Sequence, residues 1–214
     1  MAGAMIKDHS LYLVITEEYG GPRSALEMAG AAIAGGVDIV QMRQKDKSRE
    51  ELLKLGRELF RLCKGNGVTF IVNDDPSMAK EVDADGVHLG QDDILKTPVK
   101  EARRILGPSK IIGVSTGSLA QVLEANNEDV DYMGYGPVFK TEIKNRCVGT
   151  GDIGRVLSVS KKPVFFIGGI TLSNVDELLN KGAKNIALIR GILQADDITS
   201  AAKSFRNKLD LKTP

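Results

Sequence analysis

Hydrophobic residues recur along this chain in eight short runs, each ending in a polar or glycine-bearing cluster and each separated from the next by a segment of helical spacing. The runs fall at 11–16, 38–43, 69–73, 86–90, 110–115, 131–137, 163–168 and 185–190. Each has the length of a buried strand and is rich in Val, Ile, Leu or Phe, the composition of strands covered on both faces. Segments such as 49–64 and 174–181 place apolar residues at helical intervals. Strand and helix alternating eight times predict a parallel sheet closed on itself. The expected fold is α/β, a single (β/α)8 TIM barrel over 1–214, with 1–10 as a flexible lead-in. The repeat is expected in structure, not in sequence.

Composition narrows the reading. A length of 214 residues suits one domain, and 42% hydrophobic residues suffice for a sizeable core. A net charge of +1 supplies no bulk field toward nucleic acid or membrane, so neither is expected as a partner and anion binding must come from local clusters. No apolar run is long enough to span a bilayer, and the polar, mixed-charge start is unlike a secretory signal. Two cysteines, Cys63 and Cys147, match no metal spacing and read as reduced thiols of a cytoplasmic protein. A homo-oligomer is compatible with the sequence but not specified by it. Ser48 with Glu51 has capping-box spacing, Thr171 or Ser173 is placed to cap the helix near Asn174, and Gly35-Gly36, Gly65, Gly107 and Gly182 stand at expected helix ends.

Catalytic groups of a parallel barrel come from the carboxyl ends of its strands. Alternation along the second strand puts Ile39, Gln41 and Arg43 on one face, which aims Gln41 and Arg43 at the mouth with Lys45 just beyond. Guanidinium and ammonium groups there suit phosphate. The third strand ends Asn73-Asp74-Asp75 and the fourth runs into Gln91-Asp92-Asp93. Neighbouring acidic pairs on adjacent strand ends are the oxygen donors that hold Mg2+ with substrate phosphate, although Asp75 or Asp92 also suits a helix N-cap. The loop 136–144 offers Lys140, Thr141 and Lys144, and 139–151 is the longest stretch without regular pattern. Gly168-Gly169 and Arg190-Gly191 close the seventh and eighth strands, where barrels often bind phosphate. His88 reads as a packed or hydrogen-bonded strand residue, and Ser115 as a polar mouth residue with no base nearby.

The motifs Gln41-Met42-Arg43-Gln44-Lys45, Val72-Asn73-Asp74, 86–93 (Gly-Val-His-Leu-Gly-Gln-Asp-Asp), Gly113-Val114-Ser115-Thr116, 134–139 and Ile167-Gly168-Gly169-Ile170 together resemble the thiamine-phosphate synthase family, in order and over nearly the whole chain. The resemblance implies a transferase that joins 4-amino-2-methyl-5-hydroxymethylpyrimidine diphosphate to a thiazole phosphate, giving thiamine phosphate and pyrophosphate. It implies a dissociative path in which pyrophosphate leaves first. Asp74 and Asp93 would bind Mg2+. Arg43, Lys45, Asn73 and Lys144 would hold the diphosphate with Thr141. Gln41 would contact the pyrimidine, and Ser115 would sit beside the reacting methylene. Gly168, Gly169, Arg190 and Gly191 would hold the thiazole phosphate. Three positions depart from the family pattern: Ile143 stands for a threonine, Gly117 for a histidine and Arg190 for a serine. The expected consequence is slower turnover or a shifted thiazole preference. A thiazole tautomerase-like paralogue is the nearest alternative; it typically lacks the paired acidic motif and uses a histidine where Gly117 stands. A non-catalytic protein that binds thiamine intermediates is the alternative of another class.

Overall fold

The computed structural model describes residues 6–141 and 147–212. Eight parallel strands close in sequence order, β1 pairing with both β2 and β8. They are β1 Leu11–Ile15, β2 Ile39–Met42, β3 Thr69–Asn73, β4 Gly86–Leu89, β5 Ile111–Thr116, β6 Tyr132–Tyr135, β7 Val164–Ile167 and β8 Asn185–Leu188. Helices α1 Ala25–Ala34, α2 Arg49–Gly65, α3 Pro76–Glu81, α5 Val99–Leu106, α6 Leu119–Ala125, α7 Ile153–Val159, α8 Val175–Asn180 and α10 Ile198–Asp210 surround the sheet. Two short helices, α4 Gln91–Ile94 and α9 Arg190–Leu193, follow β4 and β8 directly at the mouth.

Strand alternation divides the apolar residues into two cores. Leu11, Leu13 and Ile15 of β1 face the helices, while Tyr12 and Val14 face inward. The inward core comprises Tyr12, Val14, Ile39, Ile71, Ile111, Tyr132, Phe165 and Ala187. Tyr12, Tyr132 and Phe165 meet with ring centroids 5.2–5.9 Å apart. Rings this large fit because β5 offers a glycine at an inward position: a Cβ on Gly113 would lie 2.0 Å from Tyr132 Cζ. The aromatic layer plugs the barrel and forms the floor of the mouth.

One polar side chain recurs at the same place in the fold. Asp38, Asp85 and Asp131 each stand one residue before an even-numbered strand, and Asn185 opens β8. Each side chain accepts a backbone N–H at the start of an adjacent odd strand: Leu11 to Asp38 at 2.8 Å, Phe70 to Asp85 at 2.8 Å, Ile112 to Asp131 at 2.8 Å and Ser10 to Asn185 at 2.9 Å. These N–H groups lie where the ladder begins and would otherwise lack a partner. Through Ser10, and through the 2.6 Å ion pair of Asp8 with Lys184, residues 6–10 are tied to the barrel's lower end.

Helix termini follow local chemistry. Ser24–Glu27 and Ser48–Glu51 both form complete capping boxes, and Asp75, Ser118 and Asp197 cap α3, α6 and α10. One expectation changes, and two are placed more closely. Thr171 and Ser173 do not cap α8; Asn174 takes the N-cap position and spends its side chain on Thr171 N–H and the Gly169 carbonyl, folding the turn after β7. Asp92 lies inside α4, whose N-cap is Gly90. Gly65 is the last residue of α2, and Gly67, at φ +69°, makes the left-handed turn. Replacing Ser48 with Ala should lower stability by about 1 kcal/mol, read as a lower urea midpoint at unchanged slope; an unchanged midpoint would mean that the box contributes nothing measurable.

Candidate active site

The carboxyl ends of the strands enclose a cavity of about 580 Å³, joined through Thr141, Ile167 and Gly168 to a lobe of about 290 Å³ beside β7 and β8. Gln41, Arg43, Asn73, Asp74, Asp93, Ser115, Thr141 and Gly168 line the larger space. Gly169, Arg190 and Gly191 line the smaller one. The structure thus gathers residues from widely separated strands that the sequence nominated. Lys45 is the exception: it is exposed and forms no part of either wall. Lys144 and Ile143 lie outside the described residues.

Asp74 and Asp93 face each other across Gly90. A Cβ at Gly90 would lie 2.8 Å from Asp93 Oδ2 and 3.6 Å from Asp74 Oδ1, so the glycine keeps the gap between the carboxylates clear. Asp74 takes a left-handed backbone conformation, φ +64°, uncommon outside glycine and tolerated best by Asp and Asn. That turn lets Asp74 Oδ1 accept the Gly90 N–H at 3.0 Å, while Asn73 donates to Oδ2. Burial pushes the Asp74 carboxyl above its ordinary pKa, and the Asp93 charge adds to the rise against the opposing Gly90 hydrogen bond and Arg43. Two facing carboxylates, with Lys96 Nζ 3.7 Å from Asp93 Oδ1 as a partner on the outer side, form a hard-oxygen donor set. This set fits a divalent cation completed by waters and substrate oxygens. Among the described residues no third His, Cys, Asp or Glu joins such a cluster.

A chain of polar groups crosses the cavity floor, buried at Gln41, Tyr12 and Tyr132 and half-buried at His88 and Ser115. Gln41 Nε2 lies 2.8 Å from the Tyr12 hydroxyl, which lies 2.9 Å from that of Tyr132. The Tyr132 hydroxyl is 2.9 Å from His88 Nδ1, and His88 Nε2 is 3.0 Å from Ser115 Oγ. Burial lowers the His88 pKa to about 4 and raises both tyrosines above their usual range. Ser115 therefore has a ring nitrogen beside it, a hydrogen-bond partner that the sequence did not place there. His88 alone carries no sign of the pair; strand register exposes it, because His88 sits opposite Gly113 on β5, two residues before Ser115. Tyr12 and Tyr132 were missed as site residues. Their signal was alternation, which turns both inward.

On the far wall, Gly168 and Gly169 have φ +101° and +66°. Their lack of side chains also lets the β6 loop cross closely: a Cβ on Gly168 would lie 2.3 Å from Pro137 Cβ, and one on Gly169 2.6 Å from the Lys140 carbonyl. Arg190 sits at the rim of the lobe with its guanidinium carbon 5.7 Å from the Tyr19 ring centroid, a cation–π contact. Gly117 N–H is held by Gln121 Oε1 at 2.7 Å, and Gln121 Nε2 reaches Gln91 Oε1 at 2.8 Å, tying the loops after β4 and β5 together.

Fold and mouth together define a (β/α)8-barrel enzyme with its chemistry at the carboxyl ends of the strands. The sequence profile of the family described as thiamine monophosphate synthase matches residues 11–192. A thiamine-phosphate synthase of Shouchella clausii is 41% identical over 203 residues, covering 94% of this chain and 96% of that one. One from Halalkalibacterium halodurans is 39% identical over 208 residues, covering 96% and 97%. The solved thiamine phosphate pyrophosphorylase of Pyrococcus furiosus superposes with a TM-score of 0.87 at 34% identity, covering 96% of this chain and 97% of that one. The chain belongs to the thiamine monophosphate synthase family.

Proposed function

We propose that the mouth joins 4-amino-2-methyl-5-hydroxymethylpyrimidine diphosphate to thiazole phosphate by a dissociative path assisted by Mg2+. That the chain is a thiamine-phosphate synthase, a transferase of thiamine biosynthesis, follows from the whole-length identity to the named relatives and the matching barrel. The observation that carries the proposed mechanism is the Asp74–Asp93 pair facing across Gly90 in the cavity wall.

In this reading Asp74 and Asp93 would hold Mg2+, which when bound supplies positive charge to a departing diphosphate. Arg43 and Asn73 hold the diphosphate oxygens against the same wall. The bond between the pyrimidine methylene carbon and the diphosphate oxygen breaks, and its electron pair leaves with pyrophosphate. The thiazole nitrogen then donates its lone pair to the methylene carbon. This chemistry asks the protein for charge stabilisation and alignment, not for a strong base. A cavity with a neutral histidine meets that demand. Gln41 contacts the pyrimidine, Ser115 lies beside the reacting carbon, Thr141 stands where the two lobes meet, and Gly168, Gly169, Arg190 and Gly191 receive the thiazole phosphate. Lys45 and Lys144 complete the diphosphate set implied by the family pattern; Lys45 reaches it only by swinging inward. We place the reaction in the cytoplasm. Among the described residues no helix is long and apolar enough to cross a membrane.

Purified protein given both substrates and Mg2+ should release pyrophosphate, and omission of either substrate or of the metal should abolish release. Binding of both substrates without release would move the reading to a protein that only binds these intermediates.

A further inference from the structure

We propose that His88 is a positioning residue: a hydrogen-bond relay from Gln41 holds its imidazole as the Nε2–H tautomer and thereby makes Ser115 a hydrogen-bond donor into the cavity. The inference rests on the reading of the mouth as the synthase site for its consequence, and on the relay alone for its geometry.

The direction of every proton follows from one end. The Gln41 amide nitrogen only donates, so the Tyr12 hydroxyl accepts from it. Tyr12 then places its own hydrogen on the Tyr132 oxygen and Tyr132 places its hydrogen on His88 Nδ1, the arrangement that leaves no hydroxyl hydrogen of the relay unpaired. With Nδ1 accepting, a neutral imidazole carries its proton on Nε2, which points at Ser115 Oγ. Ser115 therefore accepts from His88, and its own hydrogen turns to the cavity. Gln41, with its nitrogen engaged below, offers Oε1 to whatever binds above.

Turning the Gln41 amide over reverses the whole chain. Tyr12 would donate to Oε1, His88 would become the Nδ1–H tautomer, and Ser115 would donate to Nε2. The cavity would then meet an amide donor at Gln41 and only lone pairs at Ser115. The relay thus couples the group that reads the heterocycle to the polarity of the hydroxyl beside the reacting carbon. The order that starts from Gln41 Nε2 on Tyr12 matches the reaction at both ends. An exocyclic amine on the pyrimidine needs an acceptor, and the leaving oxygen, gaining negative charge, needs a donor. The parts are fixed by neighbouring glycines: Tyr132 lies across Gly113, and a Cβ on Gly134 would come within 3.2 Å of His88 Cε1.

The test has a readout independent of turnover. Histidine-selective 15N NMR of the intact protein, with the second histidine assigned through His9→Asn, should show His88 protonated on Nε2 alone. Tyr132→Phe and Tyr12→Phe each delete one hydroxyl of the relay. Each should lower kcat about tenfold or more while moving the KM for the pyrimidine diphosphate less than about threefold, because alignment at the reacting carbon is lost more than ground-state binding. In Tyr132→Phe the single-tautomer signature should also disappear. An Nδ1–H or doubly protonated His88 in the unaltered protein would overturn the proposal, as would wild-type kcat in both variants. If the unaltered protein releases no pyrophosphate, the synthase reading fails, and the tautomer still decides the relay.

Discussion

Asp93→Ala should cut pyrophosphate release by roughly 10²- to 10³-fold, the scale on which single electrostatic groups act at a developing charge. The carboxylate lines the cavity opposite Asp74, and its loss leaves a single acidic donor to hold the cation against substrate oxygens. Asp74→Asn should lose activity on the same scale yet give a protein that melts at a higher temperature without metal. The direction follows from linkage. Burial, reinforced by Asp93, raises the Asp74 pKa in the folded state above its unfolded value. Between the two values the folded protein binds more protons, so stability falls as pH rises through that window and stays reduced above it. Above that window the folded chain carries a charge on Asp74 that burial and the facing Asp93 both disfavour. Asparagine keeps the shape, tolerates φ +64° and retains an oxygen for the Gly90 N–H, but removes the charge. Mg2+ should raise the melting temperature of the unaltered protein and have a smaller effect on Asp74→Asn, since only a ligand that binds the folded state stabilises it. A melting temperature indifferent to Mg2+, together with a destabilised Asp74→Asn, would remove the metal from this site.

The architecture was legible because strand and helix each impose a period, and in a closed parallel barrel strand order equals sequence order. The eight runs therefore translate directly into eight neighbours, and the placing of Gln41 and Arg43 at the mouth needed only alternation along β2. Register is where the sequence became silent. That His88 meets Ser115, and that Tyr12 meets Tyr132 across the barrel, depends on how far each strand slides against the next and on the width of the closed sheet. No local spacing carries that information. Asp38, Asp131 and Asn185 open three of the predicted runs and Asp85 precedes a fourth, but their role was not legible, because their partner is a backbone N–H on another strand. Asp74 is a mixed case. Its chemistry was nominated from residue type, while the left-handed turn that aims it at Gly90 was not, since Asp enters that region too seldom for sequence to forecast it.

Gly86→Ala should destabilise the protein by about 3 kcal/mol or more, and lower its melting temperature by about 6–12 °C, without touching a residue of the mouth. Gly86 opens β4 at the lower end of the barrel, buried, and pairs with Ile71 on one side and Ile111 on the other. A Cβ there would lie 2.1 Å from the Ile111 carbonyl oxygen and 2.7 Å from Ile111 Cβ. The clash is with the backbone of an adjacent strand, not with the end of a flexible side chain. An open sheet would relieve it by letting the edge strand move. A closed one cannot, because displacing β5 also strains its ladder with β6. The Asp85 carbonyl, one residue earlier, accepts the Ile111 N–H at 2.8 Å, so that bond is strained with it. Gly30→Ala is the informative contrast. Gly30 lies within α1, and a Cβ added to it would meet nothing within 4 Å, so alanine there should stabilise by about 0.5–1 kcal/mol. Activity per folded molecule should stay close to wild type in both, since the lower end of such a barrel serves stability and the upper end chemistry. Equal melting temperatures for Gly86→Ala and the parent would show that the strands can slide to admit a methyl group. The register that places His88 against Ser115 would then be softer than the closed barrel implies.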